Sequence, residues 1–69
     1  KDPFLAVYYA KYMIEDEWPE AEPYIMKDPL AALKYAEYVL KRRWPEAEPI
    51  IMKDPPAADY YNYKFGTTL

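Results

Sequence analysis

The sequence predicts an all-α fold: a short α-solenoid of helix-turn-helix repeats, each unit a long helix followed by a short one. Three observations carry the prediction. The stretch WPEAEPYIMKDP beginning at Trp18 returns as WPEAEPIIMKDP beginning at Trp44, 26 residues later, with eleven of twelve positions identical. The dipeptide Asp-Pro recurs at the same period, at 2–3, 28–29 and 54–55. Between each Asp-Pro and the next Trp-Pro, apolar residues return at the spacing of one helix face. Near-identity at a fixed period of this length is the signature of stacked supersecondary units. The chain divides into unit 1 (1–26), unit 2 (27–52) and a partial unit 3 (53–69) within a single domain. Units 1 and 2 agree at fifteen of 26 positions, whereas unit 3 keeps Lys53, Asp54, Pro55, Ala58 and Tyr61 before diverging.

The first element of each unit starts at its Asp-Pro. Aspartate is a strong N-cap because its carboxylate accepts from the free amides of the first turn. Proline at N1 presets φ and lacks only a donor that had no partner. Helices are therefore predicted to start at Pro3, Pro29 and Pro55. On a helical wheel Ala6, Tyr9, Ala10, Met13 and Glu17 centre one face, flanked by Val7 and Ile14 on one side and Leu5 and Tyr12 on the other. So broad an apolar arc suits a helix between two neighbours, and the Ala pairs 6/10 and 32/36 permit close approach.

Trp-Pro is predicted to end this helix, because a residue before proline is pushed out of the α region. Pro19 and Pro45 then open a shorter segment whose glutamates at 20, 22, 46 and 48 oppose the helix dipole favourably. Pro23 and Pro49 predict a kink, or a turn followed by a fresh helical turn. Ile25-Met26 and Ile51-Met52 anchor the short helix. Trp18 and Trp44 are read as turn anchors covering the junction of the two helices.

Composition narrows the function classes. A 69-residue chain has a marginal core unless disulfides, metals, partners or further units help. The sequence has no Cys and no His, which removes disulfides and any conventional zinc or transition-metal site. Eight Pro beside nine Tyr and one Gly read as punctuation within a folded object, since disordered segments are poor in aromatics. No apolar run approaches the roughly 18 residues of a membrane span. The net charge of −3 argues against nucleic acid, whose binding relies on a basic footprint. The first residue is Lys1, with no apolar leader after it, so the chain is expected to start after processing or inside a longer protein.

Tandem units built on D-P-x-x-A-x-x-Y-A and W-P-E-A-E resemble short α-helical repeats of uncharacterised phage and other viral or bacterial proteins. The resemblance spans nearly the whole chain and implies an α-helical repeat fold, with no particular activity attached. Where a glycine is expected just before the Trp turn, this chain carries Asp16 and Arg42.

Candidate chemistry is sparse. The carboxylate pairs 20/22 and 46/48 do not face each other on a helix, and no His, Cys or Ser joins them. No enzyme activity, metal or cofactor is expected. Lys41-Arg42-Arg43-Trp44 is too small a basic footprint for nucleic acid. The sharpest difference between units sets Glu15, Asp16 and Glu17 against Lys41, Arg42 and Arg43, which predicts an inter-unit charge ladder; solvated helix ends are the alternative. Tyr9, Tyr35 and Tyr61 share one position on the apolar arc and predict a buried ladder. Tyr8, Tyr60 and Tyr63 map to the polar side, where exposed aromatics suit a contact surface. Phe4 and Leu5 are expected on an uncapped first face, and Tyr60, Tyr61, Tyr63 and Phe65 on an exposed last one. The expected function is a protein–protein interaction scaffold binding a protein partner; the alternative is a self-assembling component of a virion or filament, copies stacking through their terminal faces.

Overall fold

The long helices begin where the Asp-Pro spacing puts them. The computed structural model describes residues 2–69; Lys1, with which unit 1 opens, lies outside the described residues. Helices α1 (Pro3–Tyr9) and α3 (Pro29–Tyr35) each follow an extended aspartate. Asp2 accepts from the Phe4 amide at 3.0 Å, and Asp28 from the Leu30 and Ala31 amides at 3.0 and 3.4 Å. Such caps contribute about 1 kcal/mol each. Helix α5 (Pro55–Phe65) starts the same way, although Asp54 makes no side-chain cap bond.

The long helices end differently from the expectation. α1 runs on into a π-helical turn, Ala10–Ile14, and α3 into its counterpart, Ala36–Leu40. The Glu15 amide donates to the Ala10 carbonyl and the Lys41 amide to the Ala36 carbonyl, each at 2.7 Å, five residues back. Glu15 (φ 59°) and Lys41 (φ 57°) then take the left-handed conformation that reverses a chain leaving a helix. The helix is therefore already finished before Trp-Pro, and proline only keeps the link to the next element extended. The left-handed position falls one residue before Asp16 and Arg42, where a glycine is expected.

After each Trp-Pro comes a 3-10 turn, Pro19–Ala21 or Pro45–Ala47. A fresh helical segment follows, α2 (Glu22–Ile25) or α4 (Glu48–Ile51). Pro23 and Pro49 sit in its first turn, where a missing N–H costs nothing. The second proline is thus a start signal, and no kink forms.

The described residues contain no β-strand. Helix α3 packs on α1 and α2, and α5 packs on α3 and α4. One apolar core runs through all five helices, its largest fully buried side chains being Tyr35, Tyr61, Ile25, Ile51 and Val7. Ala31, Ala32 and Ala36 are fully buried between them, and their size lets α3 lie close to both neighbours. The radius of gyration, 10.9 Å, equals the ~11 Å of a compact domain of this length, so the prolines cost no compactness.

Candidate functional site

The most specific polar geometry lies at the junction between successive units. Tyr35 is fully buried on α3. Its ring packs on Trp44 of its own unit at 4.9 Å between centroids. Its hydroxyl reaches back to the unit before, accepting from the Trp18 amide at 2.8 Å and donating to Glu22 at 2.8 Å. Tyr61 on α5 repeats the arrangement: it accepts from the Trp44 amide at 2.8 Å and donates to Glu48 at 2.7 Å. Phe65 stands at 4.8 Å from Tyr61, in the place Trp44 takes beside Tyr35. The Trp amides lie beyond the helix end and have no ladder partner, so each tyrosine satisfies a donor that the Trp-Pro joint leaves free.

The electrostatics follow from this geometry. Burial pushes both Tyr35 and Tyr61 above the ordinary tyrosine value of 10.0; the Trp amide opposes this and the accepting Glu adds to it. Arg43 grips Glu48 in a two-pronged pair at 3.0 and 3.1 Å. The guanidinium holds the Glu48 carboxyl below the usual range, assisted by the Tyr61 hydroxyl. Glu17 occupies the position equivalent to Arg43 in unit 1, so Glu22 lacks this cation.

The charge ladder is reduced to one rung. Arg42 reaches Glu17 at 3.4 Å, with both side chains about half exposed, while Arg43 turns to Glu48 within its own unit. Glu15, Asp16 and Lys41 line a shallow hollow beside Tyr38 and form no ion pair among the described residues. Tyr8, Tyr60 and Tyr63 are exposed. Tyr60 donates to Glu37 at 2.9 Å, which also pairs with Lys64 at 3.6 Å; Lys11 lies 4.0 Å over the Tyr38 ring.

The two ends of the molecule match the expectation at Leu5, Tyr60 and Tyr63, which are exposed, and depart from it at Phe4, Tyr61 and Phe65. Phe4 and Phe65 are partly buried against the core, and Tyr61 is fully buried. The last unit therefore exposes Tyr60 and Tyr63 but withdraws Tyr61 and Phe65 from its surface. Its outer face is polar, because the positions of Val7, Ala10 and Ile14, which become Leu33, Ala36 and Leu40, continue as Asp59, Asn62 and Gly66. Asn62 fastens the tail over this face, its amide oxygen accepting from Thr67 at 2.6 Å and from the Leu69 amide at 2.8 Å. Leu69 packs against the core.

The first end is open. Leu5 is 64% exposed, Tyr9 49% and Met13 70%. Of their counterparts, Ala31 and Tyr35 are fully buried and Val39 is partly buried. Leu5, Ala6, Tyr9, Trp18, Ala21 and Tyr24 line a shallow apolar hollow of about 450 Å³. Tyr9 packs on Trp18 at 5.1 Å, as Tyr35 packs on Trp44, and its hydroxyl has no partner among the described residues.

Glu22 and Glu48 escaped the sequence reading as hydroxyl acceptors. The available signal was spacing: in each full unit a Glu follows Trp by four residues and a Tyr by 17. Among the described residues no group of three or more acidic side chains is placed to hold a metal ion. Among the described residues no helix is long and apolar enough to cross a membrane. No protein-family model, curated protein or solved structure matches the chain.

Proposed function

We propose that this chain is a short α-solenoid of helix-turn-helix units and serves as a non-catalytic protein–protein interaction scaffold, docking a protein partner on the open face of unit 1. One observation carries the reading. Leu5 and Tyr9 on α1 and Met13 in the π-helical turn that continues it are exposed in a row, beside an apolar hollow, while their counterparts Ala31 and Tyr35 are fully buried and Val39 is partly buried. A face of the same design that a neighbouring unit covers elsewhere in the chain is suited to docking. The resemblance to tandem α-helical repeats supports the same reading, since arrays of this kind present extended surfaces to partners.

The test is selection of a displayed random-peptide library on the folded chain, followed by mapping. Enriched peptides should lose at least about tenfold in affinity, roughly 1.4 kcal/mol, on the double substitution Leu5→Glu/Met13→Glu. Tyr63→Ser at the other end should leave them unaffected. Binders indifferent to the double substitution, or a selection that enriches nothing, would overturn the reading.

A further inference from the structure

The open face carries more than apolar area: it carries the same reading head that the other two units use. In the two junctions present, a tyrosine ring packs on an aromatic of its own unit. Its hydroxyl then accepts from a Trp amide and donates a hydrogen bond to a Glu four residues beyond that Trp. Tyr9 holds the first half of that arrangement, packed on Trp18 at 5.1 Å, with its hydroxyl unpartnered among the described residues. Ala6 and Ala21 beside it correspond to Ala32 and Ala47, which are fully buried at the junction of units 1 and 2.

We infer that the face of unit 1 receives a further unit of the same kind: a helix closed by a W-P-E-A-E joint, whose free Trp amide and following Glu engage the Tyr9 hydroxyl. This rests on the docking reading above and names the partner's chemistry. The inference draws on continuity with two junctions already formed in this chain. A second copy is not the occupant, because both of its joints are already filled, by its own Tyr35 and Tyr61. Its far end offers only Asp59, Asn62 and the tail fastened over them. The array is thus extendable at one end and closed at the other. The closure is written in side chains, since three apolar positions of units 1 and 2 turn polar or vanish in unit 3.

The experiment adds a copy of residues 27–52 directly before Lys1, so that the new junction reads EPIIM-KDP as it does between units 2 and 3. The extended protein should melt higher than the parent and remain monomeric. Tyr9→Phe should leave the parent's melting temperature unchanged, because its hydroxyl has no partner among the described residues. In the extended protein the same substitution should lower it by about 4 °C or more, the effect of leaving a buried Trp amide and a Glu without their partner in a domain of this size. Tyr9→Phe is isosteric enough that folding is retained in both backgrounds. If the extension raises no melting temperature, or Tyr9→Phe stays silent within it, the inference fails. A parent dimer that Leu5→Glu dissociates would also overturn it, by showing a second copy on the face. These outcomes separate the two proposals. Peptide ligands that map to Leu5 and Met13 while Tyr9→Phe stays silent would preserve the scaffold and remove only the W-P-E-A-E partner.

Discussion

The hydroxyls of Tyr35 and Tyr61 each accept from a backbone amide and donate to a carboxylate, so their ionisation is coupled to folding. Burial raises both in the folded state, and the Glu acceptors add to it. Below the ordinary tyrosine value of 10.0 both folded and unfolded chains are protonated there, and the contribution is whole. As pH rises past that value the unfolded chain sheds protons that the folded chain keeps, so stability falls until the folded hydroxyls ionise as well. The urea midpoint should therefore decline between about pH 9 and about pH 11. Tyr35→Phe/Tyr61→Phe should start lower at neutral pH, by about 1–3 kcal/mol per site, because each Trp amide and Glu loses its partner. Its decline over the same range should be shallower. Parallel declines in the two proteins would show that neither hydroxyl is coupled to folding.

At the scale of the element, the long helices end at a cost. A non-glycine residue in the left-handed region is disfavoured by about 1 kcal/mol, and this chain accepts it at Glu15 and Lys41. Glycine removes the clash but gives back part of the gain as unfolded-state entropy. Charge separates the two sites: an acidic side chain at a helix C-terminus opposes the dipole, and a basic one complements it. Glu15→Gly should accordingly stabilise by about 0.5–1 kcal/mol, and Lys41→Gly by about half as much or less, read as midpoints in chemical denaturation. A loss of stability at both would mean that these side chains contribute contacts outweighing the backbone strain. The same elements mark what the sequence made legible. Asp-Pro and Pro23 act on the backbone of their own turn, so the starts of α1, α3 and α5 and the fresh turn at Glu22 could be read locally. The π-helical turns could not. Their bond from residue 15 to residue 10 involves only backbone groups, and neither Glu15 nor Lys41 has a side chain that announces positive φ.

Across the whole molecule, the period located the partners of the site but not their pairing. An offset of 26 residues brings the acidic and basic triplets near each other. Arg43, however, finds Glu48 five residues away in its own unit, at 3.0 Å, and a local two-pronged pair outcompetes a solvated one across units. Likewise Tyr9, Tyr35 and Tyr61 are equivalent in sequence, yet only two are buried, because burial depends on whether a unit lies in front. That dependence makes stability a matter of neighbours rather than of units alone. Removing residues 53–69 would strip Tyr61 from the Trp44 amide and Glu48. It would also take away the neighbour that covers Leu33, Ala36 and Ile51, all buried in the intact chain. The lost hydrogen bonds come to about 1–3 kcal/mol, and baring several apolar side chains adds about 1.5–3 kcal/mol each. A domain of this size has only about 3–10 kcal/mol in total. Residues 1–52 should therefore show no cooperative monomeric melt by circular dichroism, and light scattering should find them unfolded or associated through the bared face. A sharp melt from a monomer would mean instead that each unit folds by itself, and that the tyrosine junctions set the order of the units without holding them together.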